Sequence, residues 1–334
     1  MDWHIHTSDA FRDLLVDPLG PYINISLRSW NGKDFDKTKQ SIDDLATPVI
    51  FCQLPPPKVL LQNPAARIIW IPMWDHMQAY PQSWWDSLPK SLRVVAFSDA
   101  VASRAITAGL TTLRLRYFKN PQEFAPVNWE NGRILMYWNR TGLFSRALLQ
   151  RLCSTLNIQK LFFLPKTDPH IAQQAAYQLP TRIGSTRVEI LPSILPRAEY
   201  LRKINEANVY LAPRPSEGVG MTFLEAMVRG CAVFAVDAPA MNEYITHNDN
   251  GYLFPFPYMN VRQRLEHSIR RRLTPLMKRP PAPFVHQLSL HQDWRTLTTL
   301  DLVEIGHKAR QHHESGFVSW QAQREAYARF ILEW

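Results

Sequence analysis

Glu217 and Glu225, with seven residues between them, stand in a segment whose residue types are those of an anion site: VYLAPRPSEGVGMTFLEAMVRGCAVFAVDAPAMNEYITHNDNG, 209–251. Val209-Tyr210-Leu211 reads as a short apolar strand running into a polar loop. Gly218 and Gly220 then permit a tight turn, 222–229 reads as a helix closed by Gly230, and the β-branched run 232–236 makes the next strand. A strand, a glycine turn and a helix in that order aim unpaired backbone N–H groups and the positive helix end at one point. Glu217 falls just before the turn and Glu225 is expected in the first turn of the helix. A loop that attracts phosphate and also carries acids suits a ligand with both phosphate and hydroxyl groups, and a nucleotide-sugar has both.

Two further clusters could take part. Arg140 follows the apolar run Ile134-Leu135-Met136-Tyr137-Trp138, and Arg146 comes six residues later near a helix start. Asp75-His76 leaves the buried run 68–71 at the edge where α/β proteins bind ligands. Each has a plainer explanation. Arg146 could be surface charge, and Asp75-His76 could be a structural pair. Thr222-x-x-Glu225 fits a capping box, in which Glu225 only satisfies backbone N–H groups.

The elements that must hold these residues alternate strand with helix in two blocks, the pattern of layered α/β domains. In the first block 49–52, 68–71 and 93–97 read as buried strands and 114–118 as an exposed edge strand. A Pro-, Asn- and Gly-bearing stretch up to Gly132 reads as a linker. The second block continues through 134–138, 161–164 and 188–191 into the segment above. Phe317, Trp320, Tyr327, Phe330, Ile331 and Trp334 recur at helical spacing, so the last eighteen residues are expected to form an amphipathic helix.

Length and composition agree. A chain of 334 residues favours two domains, and 46% hydrophobic with 20% charged residues excludes a disordered chain. The apolar runs are far too short to cross a bilayer, and the polar opening does not resemble a signal peptide. Cys52, Cys153 and Cys231 lie in apolar or helical runs at unrelated spacings, as core thiols in a reducing cytoplasm would. The net charge of +9 favours a polyanionic partner: a nucleoside diphosphate, an acidic lipid surface or a nucleic acid.

Pro215-Ser216-Glu217-Gly218-Val219-Gly220-Met221-Thr222-Phe223-Leu224-Glu225-Ala226-Met227 resembles the signature of retaining GT-B glycosyltransferases of the family-4 type, the glycosyl transferases group 1. Asp237, Glu243 and Asn250-Gly251 follow the same pattern, and Val219 departs from it by replacing the usual aromatic. The similarity is specific over about 45 residues and looser over the rest of the C-terminal half. It implies two Rossmann-like domains facing a cleft: 1–122 for the acceptor, 123–313 for the nucleotide-sugar, and a helix, 314–334, crossing back to the N-terminal domain. A helix packed on its own domain is the alternative for that last segment.

By the same resemblance, Glu225 binds the ribose hydroxyls and Glu217 the hydroxyls of the transferred sugar. Arg140 and Arg146 grip the diphosphate, with arginine standing at Arg146 where the family has lysine. Gly218, Val219, Gly220, Met221 and Thr222 complete the donor loop. His76 with Asp75 is the candidate near the donor sugar and acceptor. The implied reaction retains anomeric configuration and needs no metal or other cofactor. Its donor is a UDP- or GDP-sugar, and its acceptor is a saccharide, free or lipid-linked, in cell-surface polysaccharide or lipopolysaccharide synthesis. The place is the cytoplasm or the inner face of the membrane. The first strand region, Trp3 to His6, lacks the glycine-rich acceptor loop common in relatives, which suggests a trimmed N-terminal domain.

Other classes remain open. A sugar-nucleotide epimerase shares the GT-B fold, and a non-catalytic nucleotide-sugar binder would need the same donor loop. A dinucleotide oxidoreductase fits Gly218-Val219-Gly220 with Asp237 about twenty residues on, but Phe223 then occupies the third glycine position. His4-Ile5-His6 with Asp9 lacks the further ligands a catalytic metal requires. Asp34-Phe35-Asp36 sits among lysines with no apolar strand before it, and reads as a loop. His312-His313-Glu314 reads as solvated surface ahead of the last helix. The basic stretch 262–279 reads as a solvated helix face or a contact with acidic phospholipid. Aromatics do not interleave with its arginines, so nucleic acid is not expected as a partner.

Overall fold

The computed structural model describes residues 2–6, 14, 19, 24–28, 49–165, 177–192, 196–255 and 293–333. The Asp34–Asp36 stretch and the basic segment 262–279 lie outside the described residues, as do the side chains of His4, His6 and Asp9. The chain divides into two compact units. One comprises 1–120, 216–220 and 314–334, and the other 121–215 and 221–313.

The first unit carries a six-stranded sheet of β1 (Asp2–His6), β2 (Asn24–Arg28), β3 (Val49–Gln53), β4 (Ile68–Pro72), β5 (Arg93–Ala96) and β6 (Thr111–Arg114). Its order is β2-β1-β3-β4-β5-β6, with every pair parallel. Parallel strands covered on both faces read as unbroken apolar runs. Residues 49–52 and 68–72 do so and are buried throughout. Trp70 and Trp85, both fully buried, stack with centroids 5.2 Å apart and anchor the core with Phe51 and Val94. The helix Asp99–Thr107 starts where Ser98 Oγ accepts from the Val101 amide at 3.3 Å.

The expected edge strand 114–118 is displaced. The strand is Thr111–Arg114, at the sheet edge, and Leu115, Tyr117 and Phe118 beyond it are buried. Tyr117 meets Trp320 at 5.4 Å, edge to face. The alternation that suggested a strand is therefore the imprint of the C-terminal helix. Trp320 and Tyr327 also pack edge-on to Phe97, at 6.1 and 6.2 Å. Arg93 donates to the Glu333 carbonyl at 2.8 Å while lying 4.0 Å over the Phe330 ring.

That helix is longer than its aromatic residues implied, running Leu302–Leu332. Leu302, Ile305, Ala309 and His313 continue its buried stripe toward the N-terminus at helical spacing. The expectation of a solvated His312-His313-Glu314 ahead of the helix is thus corrected. His313 lies within it and is fully buried. Among the described residues, no helix is long and apolar enough to cross a membrane.

The second unit holds β7 (Ile134–Trp138), β8 (Lys160–Leu164), β9 (Arg182–Ile183), β10 (Thr186–Ile190), β11 (Val209–Leu211), β12 (Ala232–Val236) and β13 (Tyr252–Phe254). Their order is β13-β12-β11-β7-β8-β10-β9, and among the described strands only the short β9 is antiparallel. The chain leaves β7 for β8 and β10 on one side, then returns to lay β11, β12 and β13 on the other. This is the doubly wound order of a Rossmann sheet, with its reversal between β7 and β11. Asn208, fully buried, fixes the start of both strands. Its Oδ1 accepts from the Ile134 amide at 2.9 Å and its Nδ2 donates to the Asn128 carbonyl at 3.0 Å. The three cysteines are buried free thiols, one on β3 and two in the second unit. Burial pushes Cys153 and Cys231 up to about 12.

Candidate functional site

Ligands of open parallel sheets bind beyond the carboxyl ends of the strands at the reversal. In the second unit those ends belong to β7 and β11, which pair with Tyr137 opposite Leu211. The loop after β7 carries Asn139, Arg140 and Thr141. Asn139 is fully buried, its amide donates to the Leu164 carbonyl at 2.8 Å, and its Oδ1 accepts from the Tyr137 hydroxyl at 3.1 Å. This firm base presents Arg140, partly buried, whose guanidinium lies 5.1 Å over the Trp138 ring. Arg146 is the first residue of the helix Arg146–Thr155, capped by Ser145 Oγ accepting from Leu148 N at 3.2 Å, and it is exposed.

The loop after β11 runs Ala212-Pro213-Arg214-Pro215 and on to Gly220. Thr141 Oγ1 donates to the Pro213 carbonyl at 2.7 Å, tying the two strand-end loops together. Thr141 and Arg214 escaped the sequence analysis. The residue types were visible, but nothing in the linear order says that positions 72 apart in the chain meet.

The helix that follows is Met221–Arg229, one residue longer at its start than expected. Gly220, with φ +80°, supplies the left-handed turn that delivers the chain into it. Two consequences follow for Glu225. It is the fifth helical residue, so it stands in the second turn and not, as expected, in the first. Thr222 is inside the helix and is not its cap, so the capping-box explanation of Glu225 falls. Glu225 is partly buried and faces the field of Arg229 one turn on, whose own pKa is lowered by burial first of all. Met221 and Thr222, also partly buried, begin the helix. Phe223 is buried against Tyr244 at 5.7 Å, edge to face. A bulky ring in that place is the opposite of the close glycine contact that a dinucleotide fingerprint requires.

Beyond β12, Asp237 accepts from Asn242 Nδ2 at 2.8 Å, and Glu243 Oε1 accepts from the Ala240 amide at 3.2 Å. Ala240 holds φ +73°, a left-handed conformation that costs energy for any residue with a Cβ. Nothing in the sequence hinted at it, since alanine gives no sign of its φ.

Residues 216–220 group with the first unit. Gly218 explains how. A Cβ there would lie 2.8 Å from the Met73 Cβ and 3.1 Å from Asp75 Oδ1, so no side chain fits without backbone movement. The turn is thereby pressed onto the residues that leave β4. Asp75, its side chain 8% exposed, accepts at one oxygen from the His76 amide (3.1 Å) and from His76 Nδ1 (3.0 Å). The imidazole itself is 40% exposed. A carboxylate at Nδ1 favours the tautomer whose Nε2 is an outward acceptor. Glu217 and Val219, both buried, flank Gly218 in the same turn. Sequence-nominated residues therefore gather in two sets. Asp75, His76, Glu217, Gly218, Val219 and Gly220 belong to the first unit. Arg140, Arg146, Met221, Thr222 and Glu225 belong to the second.

Residues 186–273 match the model of the glycosyl transferases group 1 family. No curated protein sequence matches the chain. Among solved structures, the chain is similar to Anabaena Alr3699/HepE in complex with UDP, with TM-score 0.58, 14% identity, and coverage of 98% of both chains. It is similar to WaaG, a glycosyltransferase involved in lipopolysaccharide biosynthesis, with TM-score 0.56, 12% identity, and coverage of 99% of both. A glycosyltransferase from Rickettsia africae gives TM-score 0.56 at 13% identity, covering 99% of this chain and 90% of that one. The fold is of the GT-B class expected from the sequence, mixed α/β with two Rossmann-like sheets of mostly parallel strands.

Proposed function

We propose that the chain transfers a sugar from a nucleoside-diphosphate sugar to a saccharide acceptor, with retention of anomeric configuration. The observation that carries this reading is the hydrogen bond between Thr141 and Pro213, which joins the Arg140 loop to the loop after β11 at the sheet reversal. Cation, helix N-terminus and acids then serve one donor. Arg140, Arg146 and the amides at the start of the Met221–Arg229 helix hold the diphosphate, Glu225 the ribose, and Glu217 the hexose. Breaking the sugar–phosphate bond develops negative charge on the leaving nucleotide, and preorganised cations and N–H dipoles stabilise it. The leaving phosphate deprotonates the acceptor hydroxyl, and no metal is needed. His76, oriented by Asp75, is assigned in this reading to the transferred sugar and its acceptor.

The domain division into 1–122, 123–313 and a crossing helix at 314–334 belongs to the same reading. So do a UDP- or GDP-sugar donor, a saccharide acceptor that can be lipid-linked, cell-surface polysaccharide synthesis, and work at the inner membrane face. Support comes from the family match over 186–273 and from neighbours crystallised with UDP or named for lipopolysaccharide biosynthesis.

The test is a panel of nucleotide-sugars scored for thermal protection and slow donor hydrolysis, with wild type and Glu225→Ala. One sugar nucleotide should protect the wild type, and its protection should be lost in the variant. Failure of every sugar nucleotide to protect the wild type would sink the reading. Product NMR on the matched donor then reports the anomeric configuration.

A further inference from the structure

Arg214 lies outside the family pattern that nominated Arg140 and Arg146, yet the fold joins its loop to that of Arg140. The two residues lie just past the carboxyl ends of neighbouring parallel strands, β11 and β7, whose last paired positions are Leu211 and Tyr137. Their loops are tied by the Thr141–Pro213 hydrogen bond, one residue from each arginine. The two segments 138–146 and 212–216 contain three arginines and no carboxylate before Glu217. The reversal point of the second sheet is thus lined with positive charge from both sides.

The backbone that carries Arg214 is also stiff. Pro213 and Pro215 bracket it, each with φ fixed by its ring, and the second restricts Arg214 itself to extended conformations. With the Pro213 carbonyl pinned, little freedom is left to lose when an anion arrives, which is what preorganisation means for binding. Arg214 is partly buried, so a charge-assisted contact there is less screened than one from the exposed Arg146. A guanidinium offers two parallel N–H groups to a phosphate, a geometry suited to a diphosphate held between two strand ends.

We propose that Arg214 is a binding residue for the donor diphosphate, opposing Arg140 across the β7–β11 reversal and supplying the second rigid cation of the site. This rests on the nucleotide-sugar reading above and adds to it a residue that reading does not contain.

The experiment measures affinity of the intact chain for UDP, GDP and the matching monophosphates and nucleosides, in wild type, Arg214→Ala and Arg214→Lys. Circular dichroism and Tm are recorded for each. For the diphosphate that binds wild type, Arg214→Ala should weaken binding about 10- to 100-fold, the range for a lost hydrogen bond to a charged group. Arg214→Lys should recover part of it. The loss should be largest for the diphosphate and absent for the uncharged nucleoside. An equal loss for all three ligands would overturn the proposal, because it would mean that Arg214 only shapes the loop. Unchanged diphosphate affinity would overturn it too, and would leave the donor reading intact. Wild type binding no nucleoside diphosphate would overturn both.

Discussion

The two sheets are built alike and present their candidate residues differently. In the second, the loops that carry Arg140 and Arg214 leave the two strands that flank the reversal of strand order, where an open parallel sheet leaves a crevice. In the first, the reversal lies between β1 and β3, and Asp75-His76 leaves β4, one strand further along. That position lies at the carboxyl edge of the sheet but away from its reversal. What distinguishes it is Gly218, pressed against Met73 and Asp75. The comparison teaches that topology positions the donor-side residues, whereas a steric contact at one glycine positions the others. The two sets should therefore fail in different ways.

Gly218→Ala should have the largest effect. Its new Cβ would have to displace the Met73 Cβ, and a shift on the order of 1 Å in a reacting constellation costs about 10²-fold in rate. The loss should appear in turnover with Tm changed little. Met73→Ala introduced alongside should not restore the rate, because the Cβ it retains is the atom in the way. Recovery in the double variant would show that the obstacle is the Met73 sulfur, 3.1 Å from the new Cβ, and not the Met73 Cβ.

Glu225→Gln comes next. Replacing the carboxylate by an amide should weaken nucleotide affinity about 10-fold or more, as for a hydrogen bond that loses its charge. Asp75→Asn should lower the transfer rate while leaving nucleotide affinity within about 3-fold, since Asp75 acts on the His76 ring and belongs to the other unit. Equal damage to affinity from both substitutions would erase the distinction between the two sets. Thr141→Val should be milder, near the value of a single hydrogen bond, about 1 kcal/mol. Isothermal titration with the nucleotide reads it, and no loss would mean that the Thr141–Pro213 tie does not hold the crevice.

The smallest expected effect concerns stability at high pH. Burial raises Cys153 and Cys231 from 9.0 to about 12, so the folded state favours the neutral thiols. Their contribution is fully present below about pH 9 and is lost as pH rises toward 12. Tm should therefore fall across that window, less steeply in Cys153→Ala than in wild type. At pH 8 a thiol reagent should label neither residue until the protein unfolds.

Much of the architecture was legible because parallel strands buried on both faces leave unbroken apolar runs: β7, β11 and β12 run between the expected residues, and β3 and β4 extend theirs by one. Where expectation failed, a periodicity had two causes. The alternation at 114–118 came from packing under Tyr117 and Phe118, and the polar look of His312-His313-Glu314 concealed one turn of a buried helical stripe. Glu225 moved from the first turn to the second because the helix begins at Met221, a boundary that side-chain type alone does not fix.

The sequence by itself determined that the chain is α/β, that its second half carries a strand–glycine–helix anion site, and which acids and cations were worth naming. Those follow from local physics: hydrophobic period, the φ freedom of glycine and the charge of single side chains. Only the tertiary structure decided that β7 and β11 are neighbours, that Thr141 ties the loops carrying Arg140 and Arg214, and that Gly218 packs against Met73 and Asp75. These are meetings between residues far apart in the chain, and strand order and steric fit set them, not any property that one residue carries alone.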